Sequence, residues 1–374
     1  MPGKQSSKKR DSNIKLAIYG GGMGYWGAFN PNVLKTDRMI GGAECAMIHI
    51  SHGLAKLGYS VTVFYSEVEE PGEYDGVLWK NASDYDPREC YDVVLCWDLT
   101  SDGVGIFRYQ PCAHLRVLEL QCNHPGIMPE HGVDWVTPKS EWHKQTIRAF
   151  NPTIPDDHCY IMPNGVKLAR YAKSRERIPG RVIWCSSPDR GLHHVLRIWP
   201  RIRKEVPDAS LHVFYDFDRN FELSKWAMNR QTANIWYIKS HLGLPGVVHR
   251  QGVGQQTIAR EQKQAMLLAY PLDPPQPCEG FSISILECLA AGTPVVASDA
   301  DCIPELWGDA VMMLPRPIDD DQWADAIVKL LTKEKLRKFY SGKGKELASR
   351  YSWTLSVRRW DNFLREKLKE AKAA

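Results

Sequence analysis

The sequence predicts an α/β protein with two doubly wound parallel sheets, one in each half of the chain. At 374 residues the chain is too long for one ordinary hydrophobic core, so two domains are expected. In the first half, an apolar strand at residues 14–19 precedes a helical pattern at 41–58 and a second strand at 60–65. This order is the βαβ unit of parallel sheets. A strand at 181–185 and a helix at 192–199 open the second half.

The composition, with 43% hydrophobic and 25% charged residues, is typical of a soluble globular protein. The net charge of +4 does not indicate nucleic-acid binding, although it suits an anionic substrate. Residues 1–13 are predicted to be a disordered basic tail, which could touch anionic membrane lipid but is more simply a solvated segment. No apolar run resembles a signal peptide or a transmembrane segment. Ten cysteines without a C-x-x-C pair predict reduced thiols, and the protein is expected to be cytoplasmic.

The remaining elements follow the same alternation. The first half should add strands at residues 91–97, 116–121 and 134–137 and a helix that begins at Ser140. The second half should add strands at residues 209–215, near 247, at 269–272 and at 295–297, with helices at 282–291, 321–331 and 354–369. The segment from Lys173 to Gly180 is charged and broken, so the domains are placed at residues 14–170 and 171–353.

One stretch of the second half carries the clearest chemistry. Glu279 and Glu287 stand eight positions apart, the first in a loop and the second inside the helix that follows. A helix that starts near Ser282 leaves the backbone N–H groups of Gly280, Phe281 and Ser282 without intrahelical partners. These groups lie at the positive end of the helix dipole and are suited to binding a phosphate.

Residues 277–298 resemble the signature of retaining, family-four-type glycosyltransferases of the GT-B fold. The match includes the two glutamates, Gly280-Phe281 after the first of them, and Gly292-x-Pro294 before a buried strand. The resemblance implies two Rossmann-like domains that face each other across a cleft, with an acceptor domain first and a donor domain second. A C-terminal helix at residues 354–370 would cross back over the first domain.

The resemblance also implies a reaction. A sugar would pass from a UDP- or GDP-linked donor to an acceptor hydroxyl, on a glycan or another molecule, with retention of anomeric configuration. Glu279 would hold the sugar hydroxyls and Glu287 the ribose, because a carboxylate accepts two hydrogen bonds from a diol. Arg190 would offset charge on the leaving diphosphate, although a serine replaces the family's other basic group. No metal and no cofactor are expected.

Further candidates come from loops at the ends of strands. By resemblance, His124 would lie near the anomeric carbon, although Gln121 and Asn123 compete for that place. The acceptor would contact aromatic side chains of the first domain, Tyr25, Trp26 and Trp97. The other donor-binding candidates are Gly280, Phe281, Ser282, Gly41, Gly42, Ser187, Gly252 and Val253.

Other functions stay open at this point. A non-catalytic sugar-nucleotide or carbohydrate-binding protein would keep both glutamates and tolerate the missing cation. A sugar phosphorylase would bind inorganic phosphate instead of the nucleotide. An NAD-dependent oxidoreductase would use Gly22-x-Gly24-x-x-Gly27, yet Pro31 follows where that motif needs a helix. A metal site at Asp216 and Asp218 is disfavoured because this spacing recurs elsewhere in the chain.

Overall fold

The structure, a computed structural model, describes residues 14–97, 105–123, 132–218 and 230–373. The first sheet contains β1 (Lys15–Gly20), β2 (Ser60–Tyr65), β3 (Gly72–Tyr74), β4 (Val77–Asn81), β5 (Tyr91–Trp97), β6 (Ala113–Glu119) and β7 (Trp135–Thr137). Their order is β3-β4-β2-β1-β5-β6-β7, and every pair is parallel except β3 with β4.

The second sheet is wholly parallel, in the order β10-β9-β8-β11-β12-β13. It contains β8 (Arg181–Trp184), β9 (Ser210–Val213), β10 (Val247–His249), β11 (Leu267–Tyr270), β12 (Val295–Ser298) and β13 (Met312–Leu314). The predicted pair of doubly wound parallel sheets is therefore confirmed.

Within the described residues, ten α-helices cover these sheets. They are α1 (Gly42–Lys56), α2 (Glu141–Phe150), α3 (Leu192–Glu205), α4 (Arg230–His241), α5 (Gln255–Gln264), α6 (Ile283–Ala290), α7 (Ile303–Trp307), α8 (Asp320–Thr332), α9 (Glu334–Ala348) and α10 (Trp353–Ala373). Strands covered on both faces need continuous apolar sequence. In β1, Leu16, Ala17 and Ile18 are fully buried.

Several elements have no counterpart in the sequence prediction. Helix α9 was missed because only two of its residues, Gly344 and Ala348, are buried, so it lacks a clear apolar stripe. Strands β3 and β13 have three residues each, which is too short for a periodic pattern.

The expectation that all cysteines are reduced is wrong for one pair. Cys90 and Cys112 form a disulfide. Tyr91 pairs with Ala113 in the β5–β6 register, which places the two preceding cysteines opposite each other. Their separation of 22 residues carries no recognisable motif, so only strand pairing reveals the bond.

The chain passes between the domains twice, and the two passages bond to each other. The backbone N–H of Val166 donates to the carbonyl oxygen of Tyr351 at 2.8 Å, and the N–H of Trp353 donates to the carbonyl of Val166 at 3.3 Å. From there α10 returns to the first domain, where Val357, Trp360 and other apolar side chains join its core. A Cβ on Gly53 of α1 would collide with Val357, so α1 and α10 are in close contact.

A second set of contacts joins the domains at the N-terminus of α2. The carboxylate of Glu305, from α7, accepts hydrogen bonds from the backbone N–H groups of Glu141 at 2.9 Å and Trp142 at 2.6 Å. Ser140 caps the same helix by accepting from the N–H of His143 at 3.0 Å. Its hydroxyl donates to the carbonyl of Gly280 at 3.1 Å. We call this set of contacts, residues 140–143 with Gly280 and Glu305, the seam.

Gly165 tests the contact between the two passages. A Cβ at this buried position would lie 2.5 Å from the backbone nitrogen of Trp353 and 2.7 Å from the carbonyl carbon of Ser352. Because backbone atoms cannot rotate away, Gly165→Ala should lower the free energy of unfolding by about 1–3 kcal/mol in urea denaturation.

The matched control is Gly342→Ala in α9, where a Cβ would meet no atom within 4 Å. A helical glycine replaced by alanine should gain about 0.5–1 kcal/mol. Equal effects of the two substitutions would contradict the close packing at residue 165.

Candidate functional site

In both sheets, the strands that follow the first one are added on one side of it, and the later strands are added on its other side. β1 lies between β2 and β5, and β8 lies between β9 and β11. Open α/β sheets bind ligands at the carboxyl ends of the strands at such a point. The second-domain loop that follows β8, residues 185–187, lines a cavity shared with the first domain.

This interdomain cavity has a volume of about 220 Å³. It brings together five of the residues predicted to bind a donor, which are Gly41, Gly42, Ser187, Val253 and Glu287. Trp26, predicted to contact the acceptor, also lines it. The sequence prediction thus identified residues from both domains that the fold places in one cavity.

Glu287 lies on α6 at the wall of this cavity and is 9% exposed. Its Oε2 accepts a hydrogen bond from Nε2 of Gln262 at 3.2 Å. Its Oε1 lies 3.9 Å from Nη1 of Arg170. Burial raises the pKa of Glu287, and the charge of Arg170 opposes this only in part. The carboxylate is therefore oriented by neighbouring side chains and suited to accept hydrogen bonds from a ligand.

Gly41 and Gly42 begin α1 on the opposite wall. Gly41 is the N-cap of this helix. A Cβ on Gly42 would lie 3.0 Å from Cδ1 of Ile283, the first residue of α6. The N-termini of α1 and α6 therefore approach each other at the cavity. Helix N-termini favour anions, so this arrangement is suited to a phosphate group.

Glu279 and Arg190, both predicted to be catalytic, are in direct contact. Oε2 of Glu279 accepts hydrogen bonds from the Tyr270 hydroxyl at 2.6 Å and from Nε of Arg190 at 3.2 Å. Arg190 also bonds to the carboxylate of Asp189. Burial alone would lower the pKa of Arg190, but the Asp189 and Glu279 carboxylates outweigh it and raise that pKa. The charge of Arg190 is thus balanced within the protein, and its role toward a diphosphate stays a prediction.

Glu279 is connected to the cavity through two hydroxyl groups. Tyr270, which bonds to Glu279, lies with its hydroxyl 3.4 Å from that of Ser186, a residue of the cavity wall. The backbone N–H groups of Cys278 and Glu279 both donate to Oδ2 of Asp301 at 2.9 Å. The loop that carries Glu279 is therefore fixed at its backbone and at its side chain.

The Gly280-Phe281-Ser282 segment leads into α6, whose N-cap is Ser282. Gly280 lies in the seam, where a Cβ would be 2.6 Å from Nδ1 of His143. The Phe281 ring packs against the rings of Trp307 and Tyr351. Ser282 caps α6 by accepting from the N–H of Ile285 at 3.4 Å. The structure does not bring these three residues into the cavity wall, so phosphate binding by their N–H groups stays a prediction.

Three other candidates differ in their placement. Trp97, predicted to contact an acceptor, is 1% exposed and donates from Nε1 to the carbonyl of Ala43 at 3.2 Å, which makes it a core residue. Gly252 packs against Met39 of the first domain, where a Cβ would lie 2.6 Å from the sulfur. Tyr25 is in edge contact with the Trp26 ring. His124 lies outside the described residues.

Sequence reasoning missed the residues that support the two glutamates. Arg170 and Gln262 contact Glu287, and Tyr270 and Asp301 contact Glu279. Only Tyr270 has a local signal, because it ends a strand at the carboxyl edge of the sheet. The other three are brought in by tertiary packing alone.

Comparison with known proteins agrees with this architecture. Residues 179–333 match the family described as Glycosyl transferases group 1. Among solved structures, sucrose-phosphate synthase from Thermosynechococcus elongatus is similar with a TM-score of 0.70 at 14% identity, covering 95% of this chain and 99% of that chain. HepE of Anabaena, solved with UDP and glucose, gives a TM-score of 0.65 at 14% identity, with 95% and 100% covered. The chain therefore has the GT-B fold, and residues 179–333 are similar to a group 1 glycosyl transferase domain.

Curated relatives match over part of their length. The MMP alpha-(1->4)-mannosyltransferase of Mycolicibacterium hassiacum is 25% identical over 207 residues, covering 54% of this chain and 46% of that protein. The phosphatidyl-myo-inositol mannosyltransferase of Mycolicibacterium smegmatis is 28% identical over 206 residues, with 52% and 48% covered. The chain thus spans about half the length of these two relatives. The predicted resemblance to GT-B glycosyltransferases is confirmed.

In the described part of the chain, no helix is both long enough and apolar enough to cross a membrane.

The burial of Glu287 predicts a pH-dependent stability difference. Because its pKa is raised from the usual 4.5, the folded protein holds this proton more tightly than the unfolded chain. The free energy of unfolding therefore falls as the pH rises from 4.5 to the folded pKa. Glu287→Gln has no titrating carboxyl at this position, so its free energy of unfolding does not fall in this way. The variant should therefore be more stable than the wild type near pH 7, with the difference shrinking toward pH 4.

Thermal unfolding across this pH range measures the effect, with the exposed Glu176→Gln as the matched control that should show no trend. A Glu287→Gln protein that is less stable than the wild type near pH 7 would mean that the hydrogen bonds of the carboxylate outweigh its burial.

Proposed function

We propose that the protein is a glycosyltransferase that moves a sugar from a nucleoside diphosphate sugar to an acceptor hydroxyl, with retention of anomeric configuration. The observation that carries the proposal is the cavity between the two domains, which is lined both by the buried Glu287 and by the N-termini of α1 and α6. A carboxylate suits the ribose diol, and helix N-termini suit the diphosphate.

The relatives support the reaction class and suggest sugars to test. Two are named as mannosyltransferases, and HepE was solved with UDP and glucose. UDP-glucose and GDP-mannose are therefore the first donors to test. The acceptor would be a hydroxyl of a glycan or of another molecule bound on the first-domain side, near Trp26.

In the proposed reaction the bond between the anomeric carbon and the diphosphate oxygen breaks. The acceptor oxygen forms its bond to that carbon on the same face, and the acceptor proton passes to the leaving phosphate. Negative charge grows on the diphosphate, where the N–H groups that begin α1 and α6 would stabilise it. Glu279, held by Tyr270 and Arg190, would bind the hydroxyls of the transferred sugar.

No metal or cofactor enters this proposal. Its metal independence is tested by repeating nucleotide binding in EDTA. Thermal stabilisation by UDP, GDP or ADP should survive EDTA, and a nucleotide at a hundred times its dissociation constant should stabilise the protein by about 2.7 kcal/mol. The diphosphate that gives the larger shift identifies the base. A response to NAD alone would favour an oxidoreductase instead.

The two glutamates should separate binding from transfer. Glu287→Gln should weaken nucleotide binding by about 10-fold or more, since hydrogen bonds to a charged group contribute roughly 1.5–3 kcal/mol. Glu279→Gln should leave nucleotide affinity nearly unchanged and lower the transfer rate by about 10²-fold or more. Calorimetric titration with the diphosphate and a donor-turnover assay measure the two effects.

Glu176→Gln serves as the matched surface control and should behave as the wild type. Nucleotide binding that depends on Glu287, without turnover for any donor and acceptor, would favour the non-catalytic binding protein. Unchanged affinity and turnover in both glutamate variants would mean that the site is elsewhere.

A further inference from the structure

A second cavity, with a larger volume of about 490 Å³, lies beside the C-terminal half of α1. Its walls come from the C-terminal half of α1, the start of α5, the connection between the domains at residues 167–170, and the start of α10. This volume is within the range of small-molecule sites. No sequence motif pointed to it, and the donor proposal does not use it.

The wall of this second cavity is strongly basic. Among the described residues that line it, the only carboxylate is Asp75, which lies 3.5 Å from Nδ1 of His52. The same wall contains five cationic side chains, which are Lys35, Lys56, Lys167, Arg170 and Arg358.

The field of these cations acts on His49, another residue of the wall. Burial, followed by the charges of Arg170 and Lys167, lowers the pKa of His49 to about 3. In the described part of the chain, neither Lys167 nor Arg358 has an ion-pair partner. The positive charges of these two side chains are therefore available to an anionic ligand.

Arg170 supplies the observation that points to a ligand. Its side chain is only 5% exposed, and its Nη1 donates to Oε1 of Gln255 at 2.7 Å. Its Nε–H group is buried and has no acceptor among the described residues. A buried N–H without a partner costs about 1–3 kcal/mol, so a small shift of the guanidinium that brought this N–H to a ligand oxygen would be favoured.

Two further features define the ligand. Gln256 of the cavity wall lies in the first turn of α5 and offers a side-chain amide, which can donate hydrogen bonds to phosphate or hydroxyl oxygens. Trp353 forms a flat apolar wall with its ring stacked on His49, at 5.1 Å between centroids. Aromatic faces of this kind pack well against the C–H groups of a polyol ring.

We propose that this cavity binds a small phosphate monoester, such as a sugar phosphate, and that Arg170 connects it to the donor site. Nη1 of Arg170 lies 3.9 Å from the Glu287 carboxylate, so an anion that draws the guanidinium toward itself changes the charge next to Glu287. By linkage, each ligand then changes the affinity of the other by the same factor. The binding site stands by itself, and only this coupling rests on the proposed function.

Calorimetric titration of the full chain at constant ionic strength tests the site, with glucose 6-phosphate, inorganic phosphate and glucose as probes. Glucose 6-phosphate should bind, inorganic phosphate should bind more weakly, and glucose should give no heat. The triple variant K56Q/K167Q/R358Q, which changes exposed side chains only, should weaken glucose 6-phosphate by about 10-fold or more, because charge-assisted hydrogen bonds are lost.

The matched control, K204Q/K335Q/K369Q, removes three exposed charges outside the cavity wall and should bind as the wild type. Equal loss in both triple variants, or no loss in either, would overturn the proposal. So would full competition by UDP, which would place the phosphate in the donor cavity.

A second titration separates the coupling from the site. The affinity for UDP is measured with and without saturating glucose 6-phosphate, in the wild type and in Glu287→Gln. A change in the wild type that is lost in Glu287→Gln supports the connection through Arg170. If the protein binds no nucleotide at all, the proposed function fails, while the glucose 6-phosphate titration still decides whether this site exists.

Discussion

The loop that carries Glu279 ties together three strand ends of the second sheet. The Glu279 carboxylate accepts hydrogen bonds from Tyr270, at the end of β11, and from Arg190, in the loop after β8. Asp301, after β12, accepts from the backbone N–H groups of Cys278 and Glu279. The Glu279 side chain is only 12% exposed, and a charge largely removed from water is tolerated when it is paired and hydrogen-bonded, so each of these partners must keep its place. The start of α6, and with it the position of Glu287, follows from this loop.

The cavity exists because the two domains are held in one relative arrangement. The carboxylate of Glu305 accepts hydrogen bonds from the first N–H groups of α2, which belongs to the other domain. The two chain passages at Val166 and Tyr351 bond directly, so motion of one passage must move the other. Opening and closing of the cleft would therefore break these hydrogen bonds together with the apolar contacts of Trp26, Met39 and Trp142 with the second-domain core.

Prediction from the sequence was reliable where a local pattern has a local physical cause. The apolar strand β1 and the glycines that begin α1 fall where they were predicted. The prediction was unreliable where the role of a side chain depends on residues that are far away in the sequence. Arg190 is a loop arginine in the sequence, yet Asp189 and Glu279 balance its charge in the fold. Trp97 was expected to contact an acceptor, yet its side chain is only 1% exposed.

The sequence by itself determined the alternation of strands and helices, the GT-B fold class, and the placement of Glu279 in a loop and Glu287 in the helix that follows. These follow from hydrophobic period, turn chemistry and a dense run of characteristic residues, all of which are local. Tertiary structure decided which residues meet. The support of Glu287 by Arg170 and Gln262, the Cys90–Cys112 bond and the basic cavity beside α1 join segments far apart in the chain. Such contacts depend on how the sheets and helices pack, and no pattern of neighbouring residues encodes them.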